Sequence, residues 1–246
     1  MAIIVNQPNS SGSLTCLQII QRACLRIGIL SPGVAVNSTD QQIQQLVELS
    51  NEAGSELASI YPWSSLQIEA GFPTVATQIQ TSIAAITTGF EYIVNDTIWN
   101  RSLRRPVYGP VNSAEWQAAI AMQLNGPFNR FRIQGGNIEF YPVPAVGQLC
   151  YFEYITNKWV YSSSPSIIWL ADTDTNQLDD SLMILSLVWR WKAAKGLAYT
   201  EDYDKFESRL SDLMNRDGGK PTLTLTGQSS CDIQPVVLVP SGSWMQ

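Results

Sequence analysis

The chain has 246 residues, which is enough for one large or two small domains that each bury a hydrophobic core. Its formal net charge is −6 and only 15% of its residues are charged; this argues against a protein that binds nucleic acid through a broad basic surface. The complete absence of histidine excludes Ser-His-Asp and Cys-His catalytic arrangements and every histidine-ligated metal site.

Several sequence motifs that would indicate a cofactor, a metal or a membrane are absent. No phosphate-binding GxxxxGK[ST] loop and no dinucleotide-type glycine fingerprint occur, so we expect neither a cofactor nor a metal. No run of about 18 apolar residues is present, and the first residues lack the basic start of a signal peptide, so we expect no membrane contact. The four cysteines show no CxxC spacing and are expected to be reduced and buried: Cys16, Cys24, Cys150 and Cys231.

The first 65 residues predict two amphipathic helices. Apolar residues at helical spacing favour a helix over 13–28, with Ser13 as its N-cap and a glycine at its end. The pattern Ser38-x-x-Gln41 predicts a capping box at the start of the second helix, which ends at Pro62. Two such helices need further helices to cover their apolar faces.

Residues 66–165 have a different character, with alternating apolar and polar positions rich in β-branched and aromatic side chains. The run "FRIQGGNIEFYP" predicts a tight β-hairpin around Gly135 and Gly136. One short helix beginning near Ser113 interrupts the pattern. We therefore expect a small antiparallel β-sandwich or barrel in this part of the chain.

Helical periodicity returns after residue 165. One helix is predicted to begin at a cap formed by Asp179 or Asp180, and a second covers the run "TEDYDKFESRLSDLMNRDGG" after a break at Gly196. Residues 218–246 show no lasting periodicity and predict an extended arm.

The predicted fold class is therefore α+β. An antiparallel helical bundle would be formed by residues 1–65 together with 166–217, the β domain of residues 66–165 would be inserted into it, and residues 218–246 would follow as the arm.

Three arginines stand close together in a chain that is otherwise acidic: Arg101, Arg104 and Arg105. Such a cluster suits either of two roles: it can grip phosphates, or it can bind carboxylates and backbone carbonyls within the domain or between subunits. We favour the second role, because acidic partners are plentiful in the segments "DTDTNQLDD" and "TEDYD".

Three further patterns have competing interpretations. Glu139 and Glu153 lie in the polar phase of two predicted strands and could form the carboxylate pair of a glycan hydrolase. The start of "DTDTNQLDD" resembles a calcium loop, but its sixth position is not glycine and its twelfth is not glutamate, so we expect a polar loop. Trp189 and Trp191 point in different directions on a helix, which favours core packing for one and an interface for the other, here Trp191.

Three strings carry a resemblance to a known family: "DTIWNRSLRRPVYGPVNSAEW", "FRIQGGNIEFYPVPAVGQLCYFEYITNKWV" and "LVWRWKAAKGLAYTEDY". With the order of helices, β insertion, helices and tail, they resemble the head–tail adaptor proteins of short-tailed bacteriophages, also called head-to-tail connectors or tail tubular protein A. The resemblance covers residues 14 to about 225. The N-terminal end and the tail beyond Thr226 show no familiar pattern.

The resemblance implies a structural protein of the virion, made in the host cytoplasm, rather than an enzyme. It implies a ring, usually of twelve copies, that binds the portal protein above and the tail nozzle protein below while genomic DNA passes through without specific binding. A tail-associated cell-wall glycan hydrolase remains the alternative. The residues expected at interfaces are Arg101, Arg104, Arg105, Trp191, Leu223, Leu225, Val236, Val237, Leu238 and Trp244.

Overall fold

The computed structural model describes residues 3–4, 13–123 and 126–217. These residues form α-helices and antiparallel sheets, so the predicted α+β class is confirmed. The helices are α1 Cys16–Ile27, α2 Gln41–Ile60, α3 Ile83–Ile86, α4 Ser113–Ala121, α5 Asp180–Ala194 and α6 Thr200–Arg216. The strands are β1 Ile3–Ile4, β2 Gln67–Pro73, β3 Ile79–Ser82, β4 Phe90–Ile93, β5 Trp99–Asn100, β6 Arg105–Pro106, β7 Arg130–Gln134, β8 Asn137–Tyr141, β9 Leu149–Thr156, β10 Val160–Tyr161 and β11 Thr175–Asn176.

The N-cap of the first helix lies two residues after the predicted one. Thr15 is the N-cap: its hydroxyl accepts from the Gln18 amide at 3.3 Å, and the Gln18 side chain accepts from the Thr15 amide at 3.1 Å. Ser13 instead donates its hydroxyl to the Asn176 carbonyl at 2.5 Å. The prediction for Ser13 was wrong because a distant strand competes for its hydroxyl.

The second helix shows a similar shift. Asp40 is the N-cap and accepts from the Gln42 amide at 2.9 Å, while the Ser38 hydroxyl accepts from the Asp40 amide at 3.2 Å. A carboxylate at the positive end of the helix dipole is favourable. Ser38 therefore supports the turn before the cap, and the predicted capping box at Ser38 was wrong.

Strand β9 organises the largest sheet. Strand β2 pairs along one side of it in continuous register, from Gln67 opposite Ile155 to Pro73 opposite Leu149. Strands β4 and β5 share its other side, β6 extends the sheet beyond β5, and β1 extends it beyond β2.

A second sheet has the order β3-β8-β7. Strands β7 and β8 form the predicted hairpin, with Gly135 and Gly136 at φ angles of 57° and 75°. This left-handed region favours glycine, which explains why the turn falls at this pair.

Two hydrophobic clusters organise these elements. One combines side chains of both sheets, including Phe72, Phe140 and Phe152. The other joins α1, α2, α5 and α6 and also takes in Trp159, from the segment after β9. Helix α5 contacts α1, α2 and α6, so it lies at the centre of the helical packing. Within the described ranges, no helix is long and apolar enough to cross a membrane.

The acidic loop before α5 binds the helical region through backbone amides. The Asp172 carboxylate accepts from the amides of Ala35 and Val36, the latter at 2.7 Å, and the Asp174 carboxylate accepts from the amide of Leu170 at 2.8 Å. These carboxylates are committed to protein amides, as expected of a polar loop.

Candidate functional site

The arginine cluster lies in a β-hairpin turn between β5 and β6. The two strands pair antiparallel, and residues 101–104 form the turn. The Asn100 side chain accepts from the Leu103 amide at 3.0 Å and donates to Gln148 at 2.7 Å, which ties the turn to the loop before β9. Arg104 has a φ angle of 54°, in the left-handed region that few arginines adopt.

Arg101 binds back onto the large sheet. Its guanidinium forms an ion pair with Glu69 on β2 and lies 3.9 Å from the centroid of the Tyr151 ring on β9. The side chain is nevertheless 53% exposed, and an exposed pair of this kind contributes little to stability. Arg101 is therefore a surface residue whose orientation is set by contacts with β2 and β9.

Arg105 faces the segment that precedes β7. Its guanidinium donates to the Pro127 carbonyl at 3.1 Å and lies 6.0 Å from the centroid of the Phe128 ring. Its neighbour Arg104 is exposed, and among the described residues it has no side-chain hydrogen bond or ion pair. Arg104 thus has no charged partner within the described residues, whereas the neighbouring Arg105 donates to a backbone carbonyl.

The acidic segments proposed as partners of these arginines bind other residues. Asp179 pairs with Arg209 at 3.1 Å, and Asp202 pairs with Lys192. Among the described residues, the carboxylate that contacts the cluster is that of Glu69, 32 residues before Arg101. Sequence proximity offered no signal for that pairing.

A groove of about 380 Å³ lies beside the turn, and we call it the arginine groove. The Tyr108 and Phe128 rings meet edge to face with centroids 5.4 Å apart. These two rings form one wall of the groove. The Tyr108 amide donates to the Asn129 carbonyl at 3.0 Å and the Phe131 amide donates to the Tyr108 carbonyl at 2.8 Å, which fixes the backbone of this wall. The residues that line the groove are Tyr108, Gly126, Pro127, Phe128, Arg130, Tyr141 and Pro142.

Arg130 gives the groove its charge. It lines the groove, is exposed, and has no side-chain hydrogen bond or ion pair within the described part of the chain. Arg105 also contacts Pro127 and Phe128, so this aromatic and proline-rich surface carries cations at its edge. Such a surface can bind an apolar side chain and a carboxylate together.

Sequence reasoning missed this groove. Tyr108, Phe128 and Tyr141 come from three separate segments. They come together because Tyr108 forms a bridge with Arg130 at the start of β7, and Arg130 pairs with Tyr141 on β8. The one local signal was the recurrence of aromatic–proline neighbours, as in Pro127-Phe128 and Tyr141-Pro142.

The other predicted interface residues have different positions. Trp191 is 3% exposed, belongs to the helical core and has the Lys195 ammonium 4.4 Å from its ring centroid. This burial does not support a direct interface role. Trp189 is partly buried and packs edge to face against Tyr203 at 5.2 Å. Leu223, Leu225, Val236, Val237, Leu238 and Trp244 lie outside the described residues.

The two glutamates of the hydrolase alternative lie in different sheets and are both engaged. Glu139 on β8 is 7% exposed, pairs with Arg132 at 2.8 Å and accepts from Gln78 at 3.0 Å. Glu153 on β9 accepts from the Gln67 side chain. Their arrangement gives the hydrolase alternative no support.

Comparison with known proteins gives two results. A search of curated proteins returned no match. The model of the SU10 adaptor protein family matches residues 14–226, which include nearly all of the described helices and strands and the whole arginine groove. The chain therefore belongs to the SU10 adaptor protein family, a family of bacteriophage head–tail adaptors.

Proposed function

We propose that this protein is a head-to-tail adaptor that forms a ring between the portal protein and the tail nozzle protein. The observation that carries the proposal is the family match over residues 14–226. The ring, for which the resemblance implies twelve copies, lines the channel through which DNA leaves the virion.

The charge of the protein is consistent with a DNA channel that does not retain DNA. A net charge of −6 per copy repels phosphates when it is repeated around a ring. Since tight binding would oppose ejection, we expect DNA to pass without specific contacts.

The exposed surface is also suited to contacts between subunits. Large apolar side chains are exposed on several elements, and interfaces favour such residues while excluding charge from their centres. Examples include Leu25, Leu30, Val146, Leu170 and Leu197, which are between 54% and 89% exposed.

We propose that three parts of the chain have different structural roles. Residues 1–65 and 166–217 form a discontinuous helical bundle, residues 66–165 form an inserted β-sandwich, and residues 218–246 contact the portal or a neighbouring copy. The two hydrophobic clusters favour the first two units, although Trp159 belongs to the helical cluster. The apolar content of residues 218–246 favours a contact role for the third.

The decisive experiment mixes the purified protein with its cognate portal and measures the complex by native mass spectrometry and negative-stain imaging. A stoichiometric ring on the portal is expected. A portal that remains bare at saturating protein concentration contradicts the adaptor function.

A matched experiment uses a chain truncated after Gly219, which keeps every described helix and strand. This variant should keep its helical circular dichroism but lose portal binding. Normal docking by the truncated chain would show that residues 220–246 are not the anchor.

A further inference from the structure

The arginine groove has an exposed aromatic wall, and arginines near it have no carboxylate partner among the described residues. Its walls are aromatic and proline side chains, and Arg130 is one of its lining residues. Arg104 precedes Arg105, which contacts Pro127 and Phe128 of the wall. The described residues supply no carboxylate to Arg104 or Arg130. In a protein with a net charge of −6, such a basic patch is expected to attract an acidic surface.

A complementary surface exists elsewhere on the same chain. Residues 195–199 connect α5 to α6. Residues 197–204, which run from this connection into the start of α6, form what we call the α6 corner. Gly196, with a φ angle of 68°, ends α5 there, and Leu197 and Tyr199 are 54% and 42% exposed. Asp204 follows on the first turns of α6, exposed and with no hydrogen bond or ion pair among the described residues.

We propose that the arginine groove of one copy receives the α6 corner of the next copy. Leu197 and Tyr199 pack against the aromatic wall. The carboxylate of Asp204 pairs with Arg104 and Arg130. The exposed carboxylate of Glu201, which pairs with Lys205 at 2.7 Å within one copy, also faces these arginines. Apolar anchors within a charged border are the usual anatomy of a specific interface. The inference rests on the proposed ring and names the two surfaces that meet in it.

The contact joins two different surfaces of the same chain. A pair of copies therefore keeps one free groove and one free corner, and a repeated head-to-tail contact forms a ring when the rotation between neighbouring copies closes. Its charged pairs lie at the border, so higher salt weakens assembly as the screening length falls from about 8 Å at 0.15 M to about 3 Å at 1 M.

Charge reversal tests the contact with the full chain and its portal. One variant carries Arg104→Glu and Arg130→Glu, and the second carries Glu201→Lys and Asp204→Lys. A control carries Arg22→Glu and Arg26→Glu, which reverse two exposed arginines of α1 that line a separate cleft. Circular dichroism confirms folding, and native mass spectrometry with negative-stain imaging measures ring formation on the portal.

Each variant alone should lose ring assembly, because like charges then face each other at every contact. An equimolar mixture of the two variants should regain it, because alternating copies place opposite charges at every contact. The control should assemble like the wild type.

Wild-type assembly by either variant alone, or no recovery in the mixture, overturns the proposed contact while leaving the adaptor function standing. Failure of the wild type to form any ring overturns both. Salt-sensitive DNA binding that only the arginine variant loses, with its ring intact, assigns these arginines to the channel and also overturns the contact.

Discussion

Gly54 of α2 lies directly against the ring of Trp159, so closely that a Cβ atom on Gly54 would overlap three atoms of the indole. Trp159 is fully buried and meets Trp169 edge to face, with ring centroids 4.9 Å apart. The absence of a side chain at Gly54 therefore allows the segment after β9 to enter the helical core.

We predict that Gly54→Ala destabilises the protein, because the indole of Trp159 cannot move without displacing Trp169. Overpacking of a filled core costs roughly 1–3 kcal/mol in the free energy of unfolding. Chemical denaturation measures the effect. Gly33→Ala is the matched control, since no atom lies within 4 Å of the added Cβ. Equal stability of the two variants would contradict this account of the contact.

Arg132 and Glu139 form a largely buried pair whose guanidinium also lies 4.6 Å from the Trp116 ring centroid. Arg132→Met should cost about 3–5 kcal/mol in the free energy of unfolding, because it leaves the Glu139 charge without its partner. Arg101→Met is the control: it removes an exposed pair, which should cost no more than about 1 kcal/mol. Adding Glu139→Gln to Arg132→Met should recover part of the loss, and no recovery would point to packing rather than charge.

Asp172 connects the loop before α5 to the segment between α1 and α2. Asp172→Ala leaves the amides of Ala35 and Val36 without their acceptor, and we expect a loss of about 2–4 kcal/mol. Asp212→Ala removes an exposed carboxylate and should change stability by less than about 0.5 kcal/mol. Urea unfolding of both variants distinguishes a structural carboxylate from a surface one.

Added calcium should not raise the melting temperature of the wild type, because the carboxylates of Asp172 and Asp174 accept from backbone amides.

Asp179 contributes stability that depends on pH. Burial alone would raise the pKa of this carboxylate, but hydrogen bonds from Ser181 and the Leu182 amide, together with Arg209, hold the pKa below its ordinary value of 3.8. The folded state therefore binds its proton less readily than the unfolded state. The stabilisation is present above pH 3.8 and is lost as the pH falls through the lowered pKa.

Asp179→Asn keeps a side chain that can cap α5 but removes the charge. It should lower the urea midpoint at pH 6, and the difference from the wild type should shrink towards pH 3. A constant difference at both pH values would show that the charge of Asp179 is unimportant.

The described cysteines should be chemically inert in the folded protein. Burial raises the pKa of the Cys16 thiol to about 12, with Asp172 and Asp174 adding to it, and burial raises the pKa of Cys150 to about 12. In a Cys231→Ser background, maleimide at pH 8 should label none of the remaining thiols until the protein is unfolded. Ser59→Cys, at an exposed position on α2, should be labelled at once.

The sequence predicted turns and helix ends correctly where one or two neighbouring residues determine the backbone conformation. The hairpin at Gly135 and Gly136 depends on two residues that tolerate positive φ angles, and the end of α1 at Gly28 has the same cause. The caps at Ser13 and Ser38 were misplaced because a serine hydroxyl has several possible partners. Only the fold decides which partner it meets.

The candidate site was harder to predict because its parts are distant in sequence. The pairing of Arg101 with Glu69 and the meeting of Tyr108 with Phe128 both depend on how strands are ordered in the sheets. Periodicity gives the length and face of each strand but not its neighbours. The basic cluster was visible in the sequence, and the groove beside it was not.

Strand β9 has a mechanical consequence for a protein that joins two large assemblies. Cys150 and Phe152 lie in the core between the sheets, whereas Ile155, near the end of the strand, lies in the core between the helices. Leu66, just before β2, lies in the same helical core, and Gln67 at the start of β2 pairs with Ile155. A pull on the helices therefore enters the sheet through the adjacent ends of β2 and β9 and acts on both strands together. The two paired strands form a double connection between the two hydrophobic clusters.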